Sequence, residues 1–140
     1  MMEREIVLKA EHVKKYFPIK GILGGTVGNV KAVDDVSLCL YRGETYGLVG
    51  ETGCGKSTLG RTLIRLLDAT SGTIEINGRN LEHIPQKDMR TLRQRVQMVF
   101  QDPYTSLNPR MRVGSILFEA MTVQRIGKKS DRVDMVLELL

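Results

Sequence analysis

Residues Gly50-Glu51-Thr52-Gly53-Cys54-Gly55-Lys56-Ser57-Thr58 constrain what this chain can fold into more than any other stretch. They fit G-x-x-x-x-G-K-[ST], a pattern whose fixed positions each answer a physical need. Glycines at 50, 53 and 55 let the backbone turn through conformations that a Cβ forbids. Successive amides then point inward and form a nest of donors. A helix expected to begin near Lys56 adds its unpaired N–H groups and the positive end of its dipole. Such a nest suits a group with several negative charges and many acceptor oxygens, as in a nucleoside triphosphate. Lys56 would reach its β- and γ-phosphates, and the Ser57 hydroxyl would coordinate Mg2+.

The flanks support this reading. At average composition the pattern arises by chance in a chain of this length roughly half a percent of the time. Before it, Thr45-Tyr46-Gly47-Leu48-Val49 is a short apolar run expected to form a buried strand. After it, Leu59, Leu63, Leu66 and Leu67 recur at helical spacing. A Gly-rich hairpin turn that happens to hold a lysine does not require the order strand, turn, helix.

At 140 residues the chain is about one domain long. Its formal charge of +5 is carried by short clusters: Lys14-Lys15, arginines 90, 93 and 95, and Lys128-Lys129. A solvated face plus phosphate binding accounts for that balance without a nucleic-acid partner. Three phenylalanines, four tyrosines and no tryptophan offer few platforms for stacking bases. Cys39 and Cys54 suggest neither a disulfide framework nor a zinc site. Cys39 falls in an apolar alternation and is expected in the core, whereas Cys54 lies inside the phosphate loop. Nothing reaches signal-peptide or membrane-span length, so a cytosolic protein with at most a peripheral membrane role is expected.

Along the chain, residues 5–17 alternate loosely, with Pro18 expected to stop the strand. Residues 19–30 hold four glycines but no Lys-Ser, and read as a flexible connection to a second strand over Lys31 to Leu40. Tyr41-Arg42-Gly43-Glu44 turns the chain, and Ala69-Thr70-Ser71-Gly72 ends the helical pattern. Thr73 to Ile76 then reads as a half-buried strand closed by the turn dipeptide Asn77-Gly78. Antiparallel structure packed against a nucleotide core follows from these elements. Gln86 to Arg95 is helix-prone, Val96 to Phe100 reads as a buried strand, and Asp102 to Pro109 is a loop rich in turn formers. From Val113 a helix carries Ile116, Leu117, Ala120 and Met121 on one face and is expected to end at Gly127. Ser130 would cap a last helix, with Asp131 in its first turn and Val133, Val136, Leu137 and Leu140 as its apolar stripe. That helix has no stop signal, and we expect the chain to be a piece of a longer protein.

The phosphate loop, the run Val96-Gln97-Met98-Val99-Phe100-Gln101 and the loop from Asp102 to Met111 together resemble the ATP-binding subunits of ABC transporters. The wording of that loop, with Tyr16-Phe17-Pro18 and the Gly-rich insertion after it, is similar to oligopeptide and dipeptide importers, and importers of nickel and other solutes share much of it. The resemblance covers nearly the whole chain. It implies an α/β P-loop nucleoside triphosphate hydrolase fold with an N-terminal antiparallel β subdomain. Residues 1–101 would be the nucleotide-binding core, and 102–140 the glutamine-loop exit and the start of a helical subdomain.

The resemblance also implies roles. Gly50, Glu51, Thr52, Gly53, Cys54, Gly55, Lys56, Ser57 and Thr58 would wrap the phosphates of ATP. Gln101 would complete the Mg2+ shell and, with Lys56, serve hydrolysis. Phe17, or Tyr16, would stack on the adenine; buried strand-end aromatics are the plain alternative. Partners would be transmembrane permease subunits, a second ATP-binding subunit (the same chain or a related one) and, indirectly, a solute-binding protein, at the cytoplasmic face of the membrane.

Departures from the family pattern matter equally. A signature helix opening Ser-Gly-Gly, an Asp-Glu pair on a strand and a switch histidine do not occur here, and His12 and His83 are expected at the surface. Without the acidic pair hydrolysis lacks its general base, so this chain alone is expected to bind ATP without turning it over. Two other readings stay open: a non-catalytic remnant that binds nucleotide or permease, and a small P-loop kinase or DNA-associated ATPase.

Overall fold

Segments rich in Val, with Ile, Tyr and Phe17 among them, build a long antiparallel hairpin, β1 (Ile6–Lys20) with β2 (Thr26–Tyr41). The computed structural model describes residues 4–22, 24–102 and 106–140. Backbone bonds from Gly21 N–H to Gly25 C=O (2.7 Å) and from Gly24 N–H to Gly21 C=O (2.9 Å) close the hairpin. The expected flexible connection is therefore a tight turn, and both strands run further toward it than expected. Pro18 does not stop β1, where it faces Asn29. The last β3 partner of β1 is Ser71, opposite Lys14, so beyond that point β1 pairs with a strand on the β2 side alone. A proline whose ring faces the open side removes no ladder bond.

The helix α1 (Lys56–Leu63) packs on β1 and β2, and the hairpin β3 (Ser71–Ile76) with β4 (Arg79–Asn80) completes a sheet of order β2-β1-β3-β4. Asn77-Gly78 turns β3 into β4 as expected. The core of this part is Ala10, Val13, Val33, Leu59, Thr62, Ile74, Ile76 and Leu81. Ala10 and Val13 are three apart, yet both are buried. Strict alternation would put them on opposite faces. An irregularity between them, with His12 at φ 51°, resets the phase. Asp35, at φ 61° on β2, has its carboxylate 2.9 Å from His12 Nδ1 at the surface. The His12 N–H donates to Ser37 Oγ at 2.9 Å.

The chain packs as two compact units, Met1–Pro85 and Gln86–Leu140. In the second, α2 spans Gln86–Arg95, α3 Val113–Gln124 and α4 Arg132–Leu139. Met121 and Val136 are buried, and α3 packs on α4, with Gly114 placed where an added Cβ would lie 3.8 Å from Val136 Cγ1. Of the expected α4 stripe only Val136 is buried; Val133, Leu137 and Leu140 are exposed. The helix α3 ends before Gly127. Arg125 takes the left-handed conformation (φ 57°) as its N–H reaches the Met121 and Thr122 carbonyls. Ser130 does not cap α4, because its hydroxyl is taken by the stronger acceptor, the Asp131 carboxylate, and Asp131 occupies the cap position. Arg132 instead ties the α3–α4 turn, donating to Ile126 C=O (2.8 Å) and Thr122 Oγ1 (3.1 Å).

Two expected strands do not form. Residues 45–49 and 96–100 pair with no strand among the described residues, and Tyr46, Leu48, Val49, Val99 and Phe100 are exposed. A buried strand of a parallel sheet needs neighbours brought from elsewhere in the chain, and an apolar run does not supply them itself. Among the described residues no helix is long and apolar enough to cross a membrane.

Candidate functional site

The phosphate loop is held from below by the sheet. Gly55 is the N-cap residue of α1, in a left-handed conformation at φ 97°. A Cβ added there would lie 2.1 Å from the Ala32 carbonyl oxygen of β2, so the glycine backs directly onto the strand. Gly53, at φ 83°, instead has open space around it. One glycine is needed for conformation and closeness, the other for conformation alone. Among the described residues Ala32 is the contact that sequence reasoning missed. Its part is played by a backbone carbonyl, which carries no side-chain signal.

The start of α1 leaves its donors free for an outside acceptor. No side chain caps it, and its first turn carries no acidic residue. The first-turn amides of Lys56, Ser57 and Thr58 precede any carbonyl one turn back within the helix. Most helices place Ser, Thr, Asp or Asn at the cap to answer these groups. Here that residue is glycine. The loop turns tightly over Glu51 to Cys54, where the Cys54 N–H reaches Glu51 C=O at 3.3 Å.

Lys56 folds back into the loop. Its ammonium donates to Gly50 C=O at 2.8 Å and Glu51 C=O at 2.5 Å, and lies 3.5 Å from Cys54 Sγ. The loop carbonyls thus hold the Lys56 ammonium against the turn over Glu51 to Cys54. Ser57 is exposed, with its hydroxyl free to meet solvent or an ion. Thr58 is half-buried, and its carbonyl accepts from the buried Thr62 hydroxyl at 2.7 Å, which fixes the helix below the loop.

The two candidate adenine-stacking rings are told apart by their surroundings. Tyr16 is half-buried: its hydroxyl donates to the Asp34 carboxylate, its N–H to Thr70 Oγ1 at 2.9 Å, and Lys31 Nζ lies 5.4 Å from its ring centre. Phe17, opposite Val30, is 37 % exposed, with Lys15 Nζ at 5.1 Å from the ring centre. Phe17 is the freer platform. The Asp34 carboxyl is held below its ordinary range by the Tyr16 hydroxyl and then by Lys31, and the Tyr16 phenol is pushed up by the same carboxylate.

Gln101 lies in the second unit, exposed, at the end of the run from Val96. Pro103, Tyr104 and Thr105 of the loop that follows lie outside the described residues. Cys39, expected in the core, is half-buried, and Cys54 is exposed. His12 and His83 are both exposed, as expected. Among the described residues no cluster of three or more His, Cys, Asp or Glu could hold a metal. A divalent ion here would rest mainly on a hydroxyl and on its own ligand's oxygens, which is how Mg2+ is bound beside phosphates.

The ABC transporter family matches residues 33–140. Two proteins of Bacillus subtilis (strain 168) are similar over almost the whole chain. The oligopeptide transport ATP-binding protein AppF is 47% identical over 98% of this chain and 42% of its own length. The oligopeptide transport ATP-binding protein OppF is 46% identical over 97% of this chain and 43% of its own. The chain therefore spans less than half the length of these relatives. Among solved structures, the ATP-binding cassette MJ0796, a dimer in a post-hydrolysis state bound to ADP and Pi, superposes with TM-score 0.72 at 21% identity, covering 94% of this chain and 54% of that one. CbiO1 of Clostridium perfringens, part of the ABC transporter complex cbiONQ, gives 0.67 at 24% identity, covering 94% and 47%. The fold is that of an α/β ATP-binding cassette, and the chain belongs to the ABC transporter family.

Proposed function

We propose that this chain binds ATP with Mg2+ through residues 50–58, as the nucleotide-binding part of an energy-coupling subunit of an oligopeptide or dipeptide importer. The observation that carries the proposal is the uncapped, acid-free start of α1 behind Gly55, with the Lys56 ammonium held across the loop mouth. Phosphate oxygens would replace the loop carbonyls as acceptors of Lys56. They would also take the amides that the helix leaves unanswered. Ser57 would give its hydroxyl to Mg2+, which when bound neutralises phosphate charge and orients the terminal group. Phe17 would stack on the adenine, and Gln101 would add an amide oxygen to the ion and position water. The peptide cargo is taken from the names of the B. subtilis relatives.

In the importer, residues 1–101 would form the nucleotide-binding core and 102–140 the path toward a transmembrane permease. A second ATP-binding subunit would close on the nucleotide, a solute-binding protein would deliver cargo outside, and the subunit would sit peripherally at the cytoplasmic face of the membrane. The chain carries no acidic pair following a Ser-Gly-Gly helix. We propose that by itself it binds ATP and does not turn it over.

Titration with a fluorescent ATP analogue in Mg2+ tests the site. Lys56→Ala removes a charge-assisted contact of about 1.5–3 kcal/mol and should weaken binding roughly 10- to 100-fold. Ser57→Ala should lower the benefit of added Mg2+ while leaving Mg2+-free binding nearly unchanged. Affinity unaffected by Lys56→Ala would remove the phosphate-loop reading.

A further inference from the structure

Ten of the 21 cationic side chains but six of the 16 acidic ones lie in residues 86–140, so most of the positive excess belongs to the second unit. Part of it converges. Lys87, Arg90, Thr91 and Gln94 stand at i, i+3, i+4 and i+7 on one face of α2. With Gln124 and Arg125, at the end of α3, they line a cleft of about 480 Å³. Among the described residues the cleft contains no carboxylate, and Lys87, Arg90 and Arg125 make no ion pair.

The cleft is built rather than incidental. Gln94 Nε2 donates to the Gln124 carbonyl at 2.8 Å and ties α2 to the end of α3. The left-handed turn at Arg125 places that arginine on the cleft wall. The carbonyl end of α3, the negative pole of the helix, offsets part of the mutual repulsion of the cations. Gln124 Oε1 is enclosed and has no hydrogen-bond partner among the described residues.

We propose that this cleft is an anion site for a phosphate group, separate from the phosphate loop. Two guanidiniums offer fork-shaped donor pairs, Lys87 adds a point charge, and Thr91 adds a hydroxyl. Three cations exceed what a single carboxylate balances, and a dianionic phosphate monoester matches them better. The same chemistry reaches the protein from two sources, a free phosphate compound or the headgroup of an anionic lipid.

The test uses the 140-residue chain, with NMR detection of the Arg90 and Arg125 Nε–Hε groups. One arm titrates inorganic phosphate and pyrophosphate; the other adds vesicles of phosphatidic acid, with phosphatidylcholine as control. Lys56→Ala is the background, so that signals from the phosphate loop do not confuse the result. The expected outcome is saturable shifts at both arginines, weakened tenfold or more in Arg90→Gln/Arg125→Gln. Arg90→Lys/Arg125→Lys should recover only part of the affinity. Response to soluble phosphates alone assigns the source as a free compound; response to phosphatidic acid vesicles as well assigns a headgroup. All three chains should keep the far-UV spectrum and the same ATP-analogue affinity when Lys56 is restored, since these arginines are exposed and apart from the phosphate loop in sequence. No shift in either arm, equal shifts in the Gln variant, or binding of a polyglutamate peptide with neither phosphate source bound would overturn the proposal. Loss of ATP binding with intact cleft binding would instead count against the function proposed above.

Discussion

The hairpin β1–β2 and the runs 45–49 and 96–100 are equally strand-like in composition, yet one is a sheet and the others are not. The hairpin carries its partner with it: five residues, 21–25, return the chain, and β3 then covers the Leu8–Lys14 stretch from the other side. Val13 is fully buried as a result. Val49 and Val99, at 91% and 92% exposure, are apolar residues with nothing on them. The lesson is that antiparallel pairing is a local property, whereas the burial of a lone apolar run depends on neighbours from distant sequence.

The largest effect should come where the sheet carries the phosphate loop. Gly55→Ala forces an L side chain into φ 97° and drives its Cβ into the Ala32 carbonyl. Left-handed strain costs about 1–2 kcal/mol, and relief of the backbone clash should bring the total to roughly 3 kcal/mol or more. Gly53→Ala incurs only the first part, since nothing lies near its Cβ. Urea unfolding of the two variants measures the difference. Equal losses would mean that β2 does not support the loop, and the contrast between carried and uncarried segments would fail at its most important point.

The same contrast predicts a smaller but cleaner pair. Val13→Ala empties a fully buried position between β1's two neighbours and should cost about 2–3 kcal/mol. Val99→Ala removes the same atoms from an exposed position and should stay within about 0.5 kcal/mol. If Val99→Ala cost as much as Val13→Ala, the run 96–100 would be packed in solution and the two regions would not differ.

What was legible in the sequence divides along the same line. The turn at 50–55 with a helix beginning at Lys56, the Asn77-Gly78 turn and α2 over Gln86–Arg95 are specified by neighbouring residues, so local reading places these elements correctly. The phase of β1 was not legible, because the bulge at His12 shows itself only once Ala10 and Val13 must share a core. Nor was the passage of β1 through Pro18, which depends on β3 stopping at Ser71. The end of α3 at Arg125 defeated the usual expectation that glycine takes the left-handed position. In the site, the glycines and Lys56 stood out by type, but the Ala32 carbonyl behind Gly55 did not, because a main-chain atom is the same at every position.

The smallest expected effect sharpens the comparison inside the hairpin itself. Beyond Lys14 the arm has two strands, and surface polar ties accompany them where β3 is lacking: the Tyr16 hydroxyl on Asp34, and Lys31 on Asp34 at 3.2 Å. Asp34 therefore holds its carboxylate below its ordinary value of 3.8, chiefly through the Tyr16 hydroxyl and next through Lys31. A depressed carboxyl contributes stability above its unfolded pKa and loses it as pH falls through the lower, folded one. On acidification below about pH 4 the arm should thus weaken, with cross-strand contacts of Tyr16, Phe17 and Val30 loosening before those of Ala10 and Ile74. Tyr16→Phe keeps the ring and removes the larger cause, so the Asp34 midpoint, followed by the NMR shift of its carboxyl carbon, should move up toward the ordinary value. The acid slope of stability should flatten with it. A midpoint unmoved by Tyr16→Phe would show that the hydroxyl is not what holds Asp34, and that this tie adds nothing to the two-stranded arm.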